Sequence, residues 1–168
     1  MKLNLGCGNT RLNGWLNCDV NPSSKVDKII NLNERNWNMW GLKYNSADEI
    51  LLDQVLEHLK NPVQVMRNVL LTLKPGGVCT VRVPFAGSYA AWNDPTHLHH
   101  FTPATFKYFE KGHDSKHYIW VEFSKVEVKW IDDDSTRLAR MRNLIPFRDT
   151  LCWLLWSMHD GIEARLTK

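Results

Sequence analysis

The chain has 168 residues, of which 43% are hydrophobic and 23% are charged, and its formal net charge is +3. This length suits a single domain over residues 1–168 with a sizeable core. The small net charge argues against nucleic-acid binding, because proteins that bind nucleic acids usually carry a stripe of basic residues. No apolar run approaches the ~20 residues of a membrane-spanning helix, and Met1-Lys2 leads directly into a strand, so we expect no signal peptide.

The first elements along the chain are a strand, a glycine turn and a second strand. Residues 2–5 and 15–19 are predicted as strands, and the connection between them is shorter than most parallel crossovers. Gly6 and Gly8 let the backbone turn tightly and let a ligand approach it closely. Asp19, at the end of the second strand, can accept hydrogen bonds from the hydroxyls of a ribose. This arrangement indicates a cofactor that contains a nucleoside.

The spacing differs from the dinucleotide-binding fingerprint. That fingerprint requires a third glycine where this chain has Arg11, and an acid roughly 20 residues further on. The short connection also offers little of the helix N-terminus that would bind a pyrophosphate. A cofactor with a ribose but no phosphate fits better, and S-adenosylmethionine (SAM) is such a cofactor. A nucleotide-dependent oxidoreductase is disfavoured for the same reason.

The rest of the chain alternates strands with helices, which is typical of the α/β class with a mostly parallel sheet. The helix over 62–73 is predicted from three features. Asn61-Pro62 is typical of a helix start, the apolar residues that follow have helical spacing, and Lys74-Pro75-Gly76-Gly77 ends the helix. Two long loops are expected over 33–47, with a short helix, and 84–101. The other predicted elements are strands over 26–32, 47–52, 78–83, 125–131 and 161–167, and helices over 62–73, 103–110, 136–144 and 147–158.

Four cysteines, Cys7, Cys18, Cys79 and Cys152, show no paired spacing, and the first three fall in predicted buried strands or turns. We therefore predict reduced core thiols and a cytoplasmic location, without a disulfide framework or a zinc site.

In this order of motifs the chain resembles small class I SAM-dependent methyltransferases. The matching segments are LNLGCG at 3–8, Asp19, ADEILLDQVLEHL at 47–59, LKPGG at 73–77 and VRVP at 81–84. The segment DPTHLHHFTP at 94–103 more weakly resembles a loop of members linked to cell-envelope glycans. The resemblance implies a Rossmann-like, mostly parallel seven-stranded sheet whose antiparallel last strand lies between strands five and six. The usual N-terminal helices are absent here, so one side of the cofactor cleft is expected to be open or covered by residues 33–45 or a second subunit.

The resemblance also implies roles for individual residues at the cofactor. Asn31 stands where family members often carry Asp, which weakens that contact. The implied roles are these: Gly6, Cys7 and Gly8 line the methionine part of SAM, Asp19 holds the ribose hydroxyls, Val20, Asn31 and Leu32 flank the adenine, and Asp53 and Gln54 face the methionine end and the methyl group.

The loop after the fifth strand supplies candidates for catalysis. Methyl transfer from a sulfonium mainly requires alignment, but an alcohol acceptor must also lose a proton, and histidine suits that task near neutral pH. His97 is the predicted base and Asp94 its orienting partner. A solvated loop explains His97, His99 and His100 equally well, and a metal site ranks third, so none is predicted.

Two further segments have structural interpretations. Glu57-His58 is interpreted as a helix cap followed by a histidine packed against the sheet. Residues 147–158 are predicted as an apolar helix buried on both sides, with a dimer interface or a membrane-edge surface for a lipid-linked substrate as alternatives. The arginines before Leu151 suit either an anionic partner or a solvated face; they are Arg137, Arg140, Arg142 and Arg148.

The predicted function is SAM-dependent O-methylation of a small molecule or a glycan-type acceptor. The alternative is a catalytically silent module that binds SAM or dimerises. Methylation of nucleic-acid bases is disfavoured, because enzymes of that type carry a Pro-Pro-aromatic motif where this chain has Asp53-Gln54-Val55.

Overall fold

The computed structural model describes residues 1–22, 25–114 and 119–168. Seven strands form one sheet in the order β3-β2-β1-β4-β5-β7-β6. The strands are β1 (Lys2–Leu5), β2 (Leu16–Asp19), β3 (Lys28–Ile29), β4 (Ala47–Asp53), β5 (Leu73–Pro84), β6 (Lys125–Ile131) and β7 (Gly161–Thr167).

The helices lie in the connections after β4, β5 and β6. They are α1 (Pro62–Thr72), α2 (Pro103–Lys107), α3 (Arg137–Asn143) and α4 (Arg148–Leu151), with 3-10 turns at Trp37–Trp40, Leu56–His58 and Tyr89–Ala91. Helix α1 begins as predicted, because Asn61 Oδ1 accepts a hydrogen bond from Gln64 N at 3.0 Å and Pro62 occupies the first turn.

The strand directions confirm the predicted architecture. Strands β1 to β5 pair in parallel, whereas β7 runs antiparallel to both of its neighbours, β5 and β6. The late strand therefore lies between strands five and six, as the resemblance implied. The mixed, Rossmann-like sheet brings the carboxyl ends of β1, β2 and β4 to one edge.

The two faces of the sheet differ in chemistry. Strand residues on one face are apolar and join the core with α1 and α2, for example Leu5, Leu52 and Val81. The opposite face carries ion pairs across neighbouring strands, including Arg82 with Asp53 and with Glu163. Alternation along each strand separates these two sets, since successive side chains point to opposite faces.

The third and fifth strands differ from their predicted bounds. The third strand was predicted over 26–32 but pairs only at Lys28–Ile29. The fifth was predicted to begin at Val78 but pairs from Leu73, because a register shift between Ala47 and Glu49 accommodates the glycine-containing turn within the ladder. Part of the turn predicted at 22–25 lies outside the described residues.

The predicted helix over 147–158 is wrong. Only Arg148–Leu151 is helical, and Phe147 and Ser157 both have left-handed φ values, +58° and +57°. The expected burial of this segment within the protomer is also wrong, because Trp153 is 68% exposed and Trp156 58%. Short helices depend on packing of an apolar face against the rest of the protein, and here most of that face is exposed.

Two other sequence expectations concern the cysteines and membrane insertion. All four cysteines are free and buried, which confirms the predicted burial of Cys7, Cys18 and Cys79. None of the helices in the described ranges has the length and hydrophobicity of a membrane-spanning segment.

Candidate functional site

The glycine turn after β1 is fastened to the end of β2. The amides of Gly6 and Cys7 both donate to the carbonyl of Cys18, at 2.8 and 3.0 Å. Gly6 has a φ of +71°, and a Cβ on it would lie 2.5 Å from Cγ2 of Val55. Only glycine fits there, so the backbone is bare where β1 ends.

Asp19 connects this turn to the second strand. Its Oδ2 accepts a hydrogen bond from Gly8 N at 2.8 Å, and its Oδ1 accepts one from Asn21 N at 2.9 Å. Each carboxylate oxygen has two lone pairs, so both oxygens can accept a further hydrogen bond from a ligand. The sequence predicted a contact of Asp19 with a ligand, but not its hydrogen bonds with the amides of Gly8 and Asn21.

The short connection between β1 and β2 is held by polar side chains. Asn17 Oδ1 accepts from Asn4 Nδ2 at 3.0 Å and from Leu12 N at 2.8 Å. Asp27 accepts from the backbone and side chain of Asn17 and from Arg11, and these hydrogen bonds lower the pKa of Asp27 to about 2. Hydrogen bonding thus fixes the loop without a helix.

A cavity of about 260 Å³ lies at the carboxyl edge of the sheet and brings together most of the predicted cofactor residues. Apolar side chains of Leu32, Val55 and Leu59 contribute one part of its lining, and polar groups the rest. The predicted residues in its wall are Gly6, Asp19, Val20, Asn31, Leu32 and Gln54, and His58 lies among them.

A second cavity, of about 700 Å³, lies against the polar face of the sheet. It includes Cys7 and Asp53, and it shares Gly6 and Gln54 with the first cavity. Asp53 forms an ion pair with Arg82 at 3.2 Å. Gln54 has a φ of +55°, a conformation that costs energy for a side chain larger than glycine and often marks functional sites.

His97 has one ring nitrogen engaged and the other available. Nδ1 lies 2.9 Å from the carbonyl of Ala91, which can only accept, so Nδ1 carries the proton and donates. The side chain is 7% exposed, and its Nε2 is 3.8 Å from Asp94 Oδ2, beyond hydrogen-bond distance. The carbonyl of Ala91, rather than Asp94, therefore orients the ring directly.

Asp94 is linked to His58 rather than to His97, through a hydrogen bond with Thr96. Its Oδ1 accepts from the hydroxyl and the amide of Thr96, at 2.6 and 2.8 Å, and these bonds lower the pKa of Asp94. The hydroxyl oxygen of Thr96 is in turn 3.0 Å from Nδ1 of His58. Asp94 thus reaches His58 through Thr96.

Glu57 is buried and does not cap a helix, contrary to its sequence interpretation. It lies inside the 3-10 turn Leu56–His58 rather than at a helix cap, and its residue surface is 1% exposed. Neither carboxylate oxygen has a hydrogen-bond partner among the described residues. Burial raises the pKa of Glu57 to about 7. The adjacent Glu-His pair directly after a strand was the available sequence signal.

The other two histidines of the loop lie against a third cavity, of about 650 Å³, beside the start of α1. His100 stacks on Trp92 with ring centroids 3.8 Å apart. His99 donates its amide to the carbonyl of Glu57 at 3.2 Å. The three loop histidines therefore do not converge on one point, because His97 faces Glu57 and His58 instead.

Comparisons with known proteins agree with this architecture. Residues 3–81 match a family model described as a methyltransferase domain. No curated protein sequence matches the chain. Several solved structures share the fold over 99% of this chain. They include a SAM-dependent methyltransferase from Archaeoglobus fulgidus (16% identity, 85% of that chain, TM-score 0.67), a SAM-dependent methyltransferase from Mesorhizobium loti (15%, 90%, 0.65), and a putative methyltransferase solved in complex with the Haloferax volcanii Trm112 activator (12%, 80%, 0.64).

The sheet order and the antiparallel β7 define the class I methyltransferase fold, with few helices. Together with the match of residues 3–81 to a methyltransferase domain, this fold supports a SAM-dependent methyltransferase with SAM as its cofactor.

Proposed function

We propose that the chain, as a single cytoplasmic domain, binds SAM at the carboxyl edge of the sheet and transfers its methyl group to an oxygen of a small-molecule or glycan-type acceptor. The observation that carries the proposal is that Gly6 and Asp19 lie in the wall of one cavity, while Gly8 N donates to the Asp19 carboxylate and Gly6 N to the carbonyl of Cys18. A bare glycine backbone with an acid at the next strand suits a nucleoside cofactor without phosphates.

The residues in the first cavity fit the parts of SAM. Asp19 would accept hydrogen bonds from the ribose hydroxyls through lone pairs that Gly8 and Asn21 leave free. Val20 and Leu32 offer apolar surface to the adenine, and Asn31 lies beside them with an amide in place of an acid. Cys7, Asp53 and Gln54 would surround the methionine part, where the two cavities share Gly6.

The acceptor would approach the methyl group from the loop that carries His97. When bound, SAM supplies the electrophilic methyl group, so the chain must align the acceptor and remove its proton. His97 is held with its lone pair on Nε2, which is the state a general base requires. Asp94 supports this arrangement through Thr96 and His58 rather than by contact with His97.

Calorimetric titration should show binding of SAM and S-adenosylhomocysteine and no binding of NAD. The reason is the absence of the third glycine and of a helix N-terminus that could bind a pyrophosphate. Transfer of labelled methyl from SAM to a panel of hydroxylated small molecules and oligosaccharides then tests the reaction. NAD binding without SAM binding would contradict the cofactor assignment, whereas SAM binding with methyl transfer only to amines or thiols would contradict the acceptor assignment.

We also propose that the segment 144–158 contacts the apolar edge of a membrane, where a lipid-linked acceptor would lie. Its apolar side chains are unusually exposed, with Leu144 at 82%, Phe147 at 82% and Leu154 at 81%. Arg142 and Arg148 are occupied by ion pairs with Asp160 and Asp132. Arg137 and Arg140 are exposed on the preceding helix and could meet anionic headgroups. Homodimerisation through the same apolar surface is the alternative.

Co-sedimentation with vesicles tests this surface. The protein should bind vesicles containing anionic lipid, and the double substitution Trp153→Ser/Trp156→Ser should weaken binding, because interfacial tryptophans supply apolar contact. A matched control is Trp120→Ser, since Trp120 is 84% exposed in a different region of the chain. Equal sedimentation of the variant and the native protein would contradict the membrane contact, and a concentration-dependent dimer lost in the variant would favour the alternative.

A further inference from the structure

We infer that Glu57, His58 and His97 form a binding site for one divalent transition-metal ion. One candidate ligand atom from each residue lies within 4.8 Å of those of the other two. The rings of His58 and His97 meet edge to face with centroids 4.7 Å apart. The cluster joins the turn after β4 to the long loop after β5.

The carboxylate of Glu57 is the first argument for an ion. The residue is 1% exposed, and neither of its carboxylate oxygens finds a hydrogen-bond partner among the described residues. A buried carboxylate without partners costs several kcal/mol by general estimates, and proteins normally avoid it or use it to coordinate a metal. The turn is rigidly placed, because the carbonyl of Glu57 accepts from the amides of Leu98 and His99 at 2.8 and 3.2 Å.

The two histidines are the second argument, since both have Nδ1 occupied and Nε2 available. Nδ1 of His97 donates to the carbonyl of Ala91 at 2.9 Å. The hydroxyl of Thr96 donates its single proton to Asp94, so Nδ1 of His58, 3.0 Å from that hydroxyl oxygen and 3.3 Å from the Thr96 carbonyl, must be the donor. Histidines that bind metals are held in this way, with the second ring nitrogen donating to a carbonyl or to a group linked to a carboxylate.

The ligand types indicate the class of metal. Two imidazole nitrogens and one carboxylate oxygen suit Zn²⁺, Co²⁺, Fe²⁺ or Mn²⁺ and leave positions open for water or substrate. Ligand atoms lie about 2 Å from such an ion. Small rotations of the three side chains would therefore bring the present set to coordination distance.

The position of the cluster suggests a role for the ion in catalysis. His58 lines the same cavity as Gly6 and Asp19, so the ion would border the proposed SAM site. There it could bind an acceptor hydroxyl and lower the pKa of that hydroxyl, so that solvent water takes up its proton. This role rests on the proposed function, and it would replace proton removal by His97, whose Nε2 would then be a ligand. Binding of the ion itself does not depend on methyl transfer.

Metal titration of the full chain, first stripped with a chelator, tests the site. Isothermal titration with Zn²⁺ should show one ion bound per chain, and Co²⁺ should give the visible absorption of a site with nitrogen and oxygen ligands. Glu57→Gln and His97→Gln should each weaken Zn²⁺ binding by at least tenfold, and Thr96→Val by roughly 10–100-fold through the orientation of His58. His100→Gln, in the same loop but stacked on Trp92, is the matched control and should bind as the native chain does.

The outcomes separate this inference from the proposed function. Absence of Zn²⁺ and Co²⁺ binding, or equal binding by Glu57→Gln and His97→Gln, would overturn the metal site. Glu57→Gln removes a buried charge while keeping its shape, so a folded variant is expected and thermal unfolding would verify it. Calorimetric SAM binding by the metal-free protein reports on the methyltransferase assignment independently of the ion.

Discussion

Replacement of His97 by alanine is expected to lower methyl-transfer turnover by roughly 10²–10⁴-fold, the usual contribution of a general base. The imidazole is held by the carbonyl of Ala91, with Nε2 free to act on an acceptor or an ion. Affinity for SAM should change by no more than a few-fold, because His97 is absent from the wall of the candidate SAM cavity. Single-turnover transfer of labelled methyl and calorimetric SAM binding, each made on both proteins, measure these two quantities.

A chelator distinguishes the two roles of His97, as a base and as a metal ligand. If the imidazole is the base, a chelator should leave the native rate unchanged. If His97 is a metal ligand, a chelator should abolish the native rate and Zn²⁺ or Mn²⁺ should restore it. His100→Ala serves as the control within the same loop. Full activity of His97→Ala on the true acceptor would exclude His97 both as the base and as a ligand of an ion that takes part in methyl transfer.

Replacement of Asp19 by alanine should weaken SAM binding by ~1.5–3 kcal/mol, or roughly 10–150-fold in Kd, because charge-assisted hydrogen bonds to both ribose hydroxyls are lost. The same change frees the amides of Gly8 and Asn21, which Asp19 binds at 2.8 and 2.9 Å. The glycine turn should therefore also become more mobile. Calorimetry with SAM measures the affinity, and amide hydrogen exchange at Gly8 measures the loosening of the turn.

Asp19→Asn separates the two contributions. Its amide oxygen can still accept from Gly8, but it lacks the charge and the second acceptor, so an intermediate affinity is expected. Asp134→Ala, an exposed acid in the turn after β6, is the matched control for the loss of a negative charge. Unchanged SAM affinity in a folded Asp19→Ala variant would mean that Asp19 only fastens the turn.

Strands with clear local signals could be predicted closely from the sequence. The alternation of Val126, Val128 and Trp130 with charged residues matches β6 at Lys125–Ile131 in full, and β7 at Gly161–Thr167 agrees equally well. Asn61-Pro62 marked the start of α1 because capping is a local interaction. The conformation and burial of the segment 147–158 could not be predicted in this way, since both depend on whether another part of the protein packs against its apolar side chains.

The sequence by itself determined the glycine turn, the position of Asp19 and the α/β class, because each depends on backbone conformation and alternation within a few residues. Only the tertiary structure determined that Asp94 is linked through Thr96 to His58 rather than to His97, and that Glu57 faces both histidines. Those contacts join the turn after β4 to the loop after β5, about forty residues apart, as in the bond between His58 and Thr96 with a separation of 38. No sequence pattern links side chains that are so distant along the chain. They lie together because the parallel sheet brings the ends of β4 and β5 to one edge.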